Sequence, residues 1–456
     1  MKLSNLMAIS PIDGRYFKET FFLKEIFSEY AFLKFKIKVE INWLIKLSTI
    51  TEIKELPSFD LITIKNLNKI YKEFDKKDAY QIKEIEKKIN HDTKAIEYFL
   101  KKKISKIKNL NFISEFIHFS CTSEDINNLS YALMLKKFIK MSLIPHWKKI
   151  ISLLKKLSFL YKSVPMLSRT HGQPATPTTM GKEIANFIFR LSRQFKKIKK
   201  IEILGKINGT VGNYNANLIA YPEVDWVKIS REFVTELGIT WNPYTTQIEP
   251  HDYITELFNC ISIFNLILID FSKDIWGYIS IGYFSQKKIL KEIGSSIMPH
   301  KINPINFENA EGNLGLSNAM INFIGQKLPI SRWQRDLSDS TVLRNLGVGL
   351  GYSVIAYFSI EKGIEKISIN EKKITKDLNN HWEILTEAIQ TVMRRFSIKN
   401  SYEKLKEEIK KNKINSENIL NFIDNLSIPK KEKIRLKKLT PSNYIGLSVE
   451  LTNRIL

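Results

Sequence analysis

Cysteine is almost missing from this chain: Cys121 and Cys260 are the only two in 456 residues. Two distant thiols build neither a disulfide framework nor the paired spacing of a zinc site, so a reducing compartment, the cytosol, is expected. Histidine is also scarce, with seven. None stands at the i, i+4 spacing of a zincin helix, and no acidic cluster has EF-hand spacing, so no metal is expected. No stretch approaches eighteen consecutive apolar residues, and the opening MKLSNLMAIS has no signal-peptide run, so neither membrane insertion nor export is expected. Gly/Ser-rich and Pro-rich linkers and solenoid repeats are missing too, which leaves domain joints to be read from helix patterns.

What is present points to a large globular protein. Hydrophobic residues make up 43% and aromatics 11%, enough to bury substantial cores and to exclude general disorder. A chain of this length outgrows one core and divides into more than one domain. Seventy-one basic against 47 acidic residues give a formal charge of +24. The lysines are scattered among Ile and Asn, as in KKKISKIKNLNFI, which fits compositional drift on a solvated surface better than a nucleic-acid stripe. The excess can still steer an anionic metabolite.

Helical periodicity is clearest in the middle. From Pro250 to Trp276, Ile254, Leu257, Phe258, Ile261, Phe264, Leu268, Phe271 and Ile275 recur at three- and four-residue steps. That predicts a helix of roughly 40 Å. Ile263, Ile267 and Ile269 add apolar flanks, so burial on several sides is expected. Similar patterns cover Leu143–Tyr161, Gly181–Leu204, Pro304–Gln326 and Ser340–Ile367, and together they imply a bundle. Around residue 40 the signal divides. Phe35, Ile37, Val39, Ile41 and Trp43 alternate like a half-exposed strand, whereas Tyr30, Leu33, Ile37, Ile41, Leu44 and Leu47 form a helix stripe.

The chemistry-bearing motifs begin with GSSIMPHKIN at 294–303. A Gly-Ser-Ser loop can be mere flexibility; it can also deliver Ser295 to a substrate, with Lys301 and Asn303 as donors to an anion. The pattern Gly-Ser-x-x-Met-x-x-Lys-x-Asn arises by chance with probability on the order of one in a thousand. In SRTHGQPATP at 168–177, His171 sits in a Pro- and Gly-punctuated turn, where a side chain can face a cleft. Further segments are DGRY (13–16), NHD (90–92), FSCTSEDINN (119–128), KINGTVGNYNA (206–216), NPYTTQIEPHD (242–252) and SRWQRDLSDSTVLRN (331–345). These motifs, spread over most of the chain, resemble the adenylosuccinate lyase branch of the fumarase/aspartase superfamily, in its bacterial long form.

That resemblance implies an all-α chain of three helical domains, 1–111, 112–367 and 368–456, whose central long-helix bundles assemble into a homotetramer with shared active sites. It implies helix for the ambiguous segment near residue 40. It also implies no cofactor, and elimination of fumarate from adenylosuccinate and from the succinyl-carboxamide intermediate SAICAR. His171 is then the general acid and Ser295 the base. Arg15, Tyr16, Asn90, His91, Asp92, Thr122, Ser123, Gln247, Lys301, Asn303, Arg335, Ser340, Thr341, Val342, Leu343 and Arg344 bind substrate. Such residue types suit a phosphate and two carboxylates, which call for guanidinium forks and hydroxyl or amide donors. The Gly294–Pro299 loop is expected to close over the substrate as a lid.

One departure is Ile297, where close relatives usually carry Thr. Gly347, Gly349 and Gly351 mimic part of a dinucleotide fingerprint, but with no preceding strand they are expected to serve close helix packing. Rival readings are argininosuccinate lyase, aspartase, a catalytically retired scaffold and a basic nucleic-acid binder. DGRY, NHD and TTQIEPHD weigh against the siblings, intact Ser295 and His171 against retirement, and scattered Lys against nucleic acid.

Overall fold

The computed structural model describes residues 5–107, 110–287, 297–298, 300–411 and 415–455. Helices dominate it: α1 (Glu29–Leu47), α2 (Lys76–Ile89), α3 (Asp92–Ile104), α4 (Ser123–Phe138), α5 (Ile144–Leu160), α6 (Met180–Ile198), α7 (Asp252–Ser280), α8 (Ile305–Lys327), α9 (Ser338–Leu343) and α10 (Leu346–Lys366), followed by shorter helices between Glu371 and Ile455. Short two-stranded pieces punctuate them. β1 (Pro165–Thr170) and β2 (Gln173–Thr179) form an antiparallel hairpin, β3 (Leu204–Gly205) and β4 (Thr240–Trp241) a parallel pair, and β5 (Phe284–Gln286) and β6 (Ile367–Ile369) an antiparallel one.

Two compact units emerge from the packing. One comprises Met1–Trp147, Gln194–Leu266 and Gly312–Phe358, the other Lys148–Arg193, Ile267–Glu311 and Ser359–Leu456. The division falls inside α5, α6, α7, α8 and α10, the long helices, rather than at loops.

In the first unit those helices share a polar knot. The Asn265 amide, fully buried on α7, donates to Asn318 Oδ1 on α8 and Ser353 Oγ on α10, both at 2.9 Å, and accepts from the Tyr357 hydroxyl at 2.7 Å. Ser317 donates to Gly349 O at 2.8 Å. A fully paired buried network of this kind fixes the register of three helices that apolar contacts alone would leave free to slide. The three glycines of α10 serve close approach, as expected of glycines in a helical stretch with no preceding strand. A Cβ at Gly347 would lie 2.5 Å from Phe27 Cβ, and one at Gly349 2.9 Å from Ile321 Cγ2. In the second unit, Phe271 meets Phe187 at 5.4 Å and Phe307 at 6.2 Å between ring centroids. A separate apolar cluster there gathers Leu385, Ile389, Met393, Ile423 and Leu436 from the C-terminal helices.

The ambiguous segment is helix throughout, as α1. The stretch Ser340–Ile367, read as one helix, is two: Arg344 caps α9, and Asn345 starts α10 by accepting from Val348 N at 3.0 Å and Gly349 N at 3.3 Å. Asn favours such caps because its side chain competes with helical hydrogen bonds, here by donating to Thr341 O at 3.1 Å. Helix α6 stops at Ile198, short of Leu204, which joins β3 instead. Between α4 and α5 lies a π-helical turn, Ile139–Leu143, just ahead of Pro145. The wider turn accommodates a residue that lacks an N–H and crowds the preceding carbonyls.

Helix α7 is long and apolar enough to cross a membrane, but 61% of its most apolar window is buried within the molecule. Of its flanking apolar residues, Ile267 is buried and Ile269 half-buried, while Ile263 is exposed.

The Asn265 knot is open to test. Asn265→Leu strands the Tyr357 hydroxyl in the core and should cost about 2–4 kcal/mol of stability. Its urea midpoint should fall accordingly, and an unchanged midpoint would show that the network contributes nothing.

Candidate functional site

The NHD segment is a corner between two helices. Asn90 ends α2 in the left-handed conformation, φ 52°, while His91 is the N-cap of α3 and accepts from Lys94 N through Nδ1 at 3.1 Å. An accepting Nδ1 leaves the neutral ring's proton on Nε2, a donor at an exposed position. Asp92 opens α3, where a negative charge suits the helix dipole. Its Oδ2 accepts from the buried Lys36 Nζ at 2.7 Å, and its Oδ1 from Thr93 N at 2.7 Å. Burial opposes ionisation here, yet Lys36, Thr93 and Arg344 outweigh it and hold the Asp92 carboxyl at about 2. Arg344 approaches the corner, 4.0 Å from Asp92 and 3.4 Å from Glu29.

Thr122 and Ser123 begin α4, and Asp125 three residues on completes a capping arrangement by accepting from Thr122 N at 2.8 Å. The same carboxylate accepts from Asn208 N at 3.0 Å and Gly209 N at 3.2 Å, and pairs with Lys206 Nζ at 2.9 Å. Both Asp125 and Lys206 are fully buried. Thus the TSEDINN and KINGTVGNYNA segments, far apart in sequence, meet on one charge.

Arg335 stands next to this helix start. Its guanidinium reaches Glu124 Oε1 at 3.0 Å, Gln247 Oε1 at 3.2 Å and Asp339 Oδ2 at 3.5 Å. Burial pushes the Glu124 and Asp339 carboxyls up, and Arg335 opposes it. A cleft of about 280 Å³ opens alongside, lined by Thr210, Gln247, Trp333 and Arg335 among others. Ser340, Thr341, Val342 and Arg344 lie on or next to α9, but Leu343 is 2% exposed and belongs to the core, so its side chain faces away from solvent. Arg15 is exposed and Tyr16 half-buried, with the Arg15 guanidinium 6.0 Å from the Tyr16 ring.

Two residues after Gln247, Glu249 and His251 form a buried couple, each 1% exposed. Glu249 accepts from Asn242 Nδ2 at 2.9 Å and from His251 N at 2.7 Å. Burial pushes the Glu249 carboxyl up to about 7 and, with Arg335, the His251 imidazole down to about 4. His251 also adopts φ 67°, and among the described residues neither ring nitrogen has a hydrogen-bond partner, the nearest approach being Glu249 Oε2 at 3.5 Å from Nδ1. Strain and unsatisfied polarity of this kind concentrate at functional sites.

His171 lies in the second unit, at the tip of the β1–β2 hairpin. With Thr170 opposite Gln173, His171 (φ 53°) and Gly172 (φ 77°) form a two-residue turn with positive φ at both positions, the type I′ geometry that fits strand twist. The Pro- and Gly-punctuated turn is therefore the tip of a hairpin, which presents the imidazole to solvent. Arg169 on β1 is tied to Asp377 at 2.7 Å. In the same unit Lys301 is exposed and Asn303 half-buried, and the Ile302 carbonyl between them accepts from Gln286 Nε2 on β5 at 3.0 Å. Ser295 and most of the expected lid, 294–296 and Pro299, lie outside the described residues; Ile297 is exposed.

Sequence reasoning passed over Lys36, Glu40, Asp125, Lys206, Glu249 and His251, all buried polar groups around the expected binding residues. Only Asp125 left a readable trace, the Thr-x-x-Asp spacing of a capped helix start.

The Glu249–His251 couple makes a pH prediction. Folded Glu249 keeps a proton that an unfolded Glu releases above about 4.3, while folded His251 refuses one that an unfolded His takes below about 6.5. Between those values folded and unfolded pairs each hold one proton, so the couple's contribution is flat with pH. Glu249→Gln removes one side of the balance. Its stability should rise relative to wild type by about 1.4 kcal/mol per pH unit across that window. Urea unfolding at several pH values checks this; a constant offset between the two proteins would refute the neutral couple.

Comparison with known proteins fits these features. Residues 14–319 match the family described as Lyase, and residues 331–445 the one described as Adenylosuccinate lyase C-terminal. The curated adenylosuccinate lyase of Buchnera aphidicola subsp. Schizaphis graminum is 60% identical over 455 residues, and that of Escherichia coli K12 56% identical over 455 residues, each alignment covering 100% of both chains. Among solved structures, a 3-carboxy-cis,cis-muconate lactonizing enzyme from Pseudomonas putida superposes with TM-score 0.75 at 16% identity, over 95% of each chain. A fumarate lyase from Mesorhizobium sp. BNC1 gives 0.77 at 14%, over 95% of this chain and 96% of that one. At such identity these two speak for the fold alone. The full-length identity goes further, and with the two family matches it places this chain in the adenylosuccinate lyase family of the fumarase/aspartase superfamily.

Proposed function

We propose that the chain is a cytoplasmic lyase that eliminates fumarate from adenylosuccinate to give AMP, and from SAICAR to give AICAR. The observation that carries this reading is full-length identity of 56–60% to curated adenylosuccinate lyases, set on a chain that keeps the arginines, amides and hydroxyls an anionic nucleotide requires. It favours this activity over argininosuccinate lyase or aspartase.

Chemically, a proton must leave the carbon next to a carboxylate while the C–N bond breaks and the departing purine nitrogen gains a proton. Ser295 takes the first proton and His171 supplies the second. An unaided serine hydroxyl is too weak an acid, so its oxyanion needs stabilisation from Lys301 and backbone N–H groups. Thr122, Ser123, Lys301 and Asn303 bind the substrate carboxylate from the ground state onward and meet the charge that builds on it. The start of α4 suits this task because it places two hydroxyls, those of the N-cap Thr122 and of Ser123, at the positive end of the helix dipole. Arg15, Tyr16, Asn90, His91, Asp92, Gln247, Arg335 and the 340–344 segment hold the remainder of the nucleotide. Neither a metal nor an organic cofactor enters this scheme.

The working form is a homotetramer, built by the long helices, with each site gathering the NHD and TSEDINN segments, His171 and Ser295 from three chains. Exposed Ile263 and Leu266 on α7 and Leu316 and Phe323 on α8 support such an assembly, because a monomeric surface seldom keeps large apolar side chains together on its central helices. The domains 1–111, 112–367 and 368–456 are the units in which that assembly is organised.

Ser295→Ala and His171→Ala should each lower kcat at least about a hundredfold with helical content unchanged. Near-normal turnover of Ser295→Ala at saturating substrate would refute the base assignment. Tetramers mixed equally from the two variants should regain roughly a quarter of wild-type activity, since each site draws both intact residues with probability of about one half times one half. Verified mixed tetramers that stay inactive would place both residues on one chain.

A further inference from the structure

Helix α1 carries polar groups where a packed helix would carry apolar ones. Lys36, Glu40 and Trp43, four and three residues apart and so on one stripe, are 0%, 1% and 1% exposed. Each reaches a segment bearing candidate substrate ligands. Lys36 Nζ donates to Asp92 Oδ2 at 2.7 Å and to Thr93 Oγ1 at 3.1 Å. One turn on, Glu40 Oε1 meets His118 Nδ1 at 2.7 Å, and Trp43 Nε1 donates to Phe119 O at 3.1 Å. His118 and Phe119 lead directly into Thr122 and Ser123, through a stretch in which His118 (φ 60°) and Ser120 (φ 56°) are both left-handed.

Burying two opposite charges on one helix face costs several kcal/mol per ion before any pairing, and an apolar stripe of equal volume would stabilise the fold as well or better. Stability alone gives no reason for Lys36 and Glu40. Both partners, however, are sites where position matters, the corner at Asp92 and the loop that aims the start of α4. We infer that Lys36 and Glu40 are positioning residues, which from adjacent turns of α1 set the spacing between the Asp92 corner and the Thr122–Ser123 helix start through one ion pair each. The inference rests on the reading that Asp92, Thr122 and Ser123 contact the substrate.

The Glu40–His118 pair gives this role a signature. The charges facing His118 are Glu40 on α1, Glu97 on α3 and Asp125 on α4. Burial disfavours the imidazolium, but Glu40 outweighs it and raises the His118 value above the ordinary one. A raised histidine keeps its ion pair at low pH and loses it as pH climbs through the raised value. Substrate affinity should therefore weaken on the alkaline side, at a pH that depends on Glu40.

The experiment is steady-state kinetics with adenylosuccinate, across pH, on wild type, Glu40→Gln, Lys36→Met and Ser123→Ala, with circular dichroism and melting of each. Glu40→Gln, nearly isosteric, should raise KM about tenfold with kcat within about threefold, and should move the alkaline rise of KM to lower pH. Lys36→Met should show the same split; if it does not fold, Glu40→Gln decides. A Glu40→Gln enzyme with wild-type KM at every pH, beside a Ser123→Ala enzyme with raised KM, overturns the inference alone. Wild-type KM for Ser123→Ala overturns the site reading and the inference with it.

Discussion

The Asp125 carboxylate is the charge on which the described part of the candidate site depends. It accepts backbone N–H groups from two segments distant in sequence, Thr122 on one and Asn208 and Gly209 on the other, and neutralises Lys206. A buried carboxylate is tolerated only when its lone pairs are used in this way. Once they are, the start of α4, the 206–209 turn and, through Asn128, whose amide donates to Lys206 O at 3.0 Å, the chain beyond it become a single rigid piece. Arg335 and Gln247 gather against that piece by way of Glu124.

How legible was this in the sequence? The long helices were, because α7, α8 and α10 bury apolar faces whose period survives any reading frame. The break at Arg344 was not, since Asn345 is an ordinary helix-surface residue until its cap is seen. Residues 35–43 were ambiguous for an instructive reason. Lys36 and Glu40 are charged yet buried, so they look like the outward positions of a strand when they are inward positions of a helix. The polar stripe that spoiled the amphipathic pattern is the part of α1 that reaches the candidate binding segments. Conflicts between local pattern and fold are expected at such places. Among the site residues, motifs named exposed ones such as His91 and His171 and the half-buried Arg335. Asp125 apart, they were silent on the buried partners behind them, because a lysine such as Lys206 is indistinguishable by type from the dozens on the surface.

Internal competition shapes the electrostatics. Arg335 and Arg344 are the cations best placed for an anionic ligand in the first unit, and both already lean on carboxylates, Glu124 and Asp339 for one, Glu29 and Asp92 for the other. In the proposed site, an incoming phosphate or carboxylate shares or displaces these partners. Such partners keep the guanidinium forks oriented when no ligand is bound, so less ordering remains to be done at binding. The scattered surface charge of +24 acts over longer distances and is screened by salt.

The π-helical turn at Ile139–Leu143 has a consequence for inheritance as well as for shape. A turn holding one residue more than an α-turn advances the phase of everything after it by about 100°. The α4 end and the α5 end thus present faces that a regular helix would not pair. Substitutions on either side can drift independently so long as that extra residue stays. A single-residue deletion within the turn would rotate one end against the other, moving whole faces out of alignment rather than one side chain. Indels there should be far rarer among functional descendants than substitutions at the same positions.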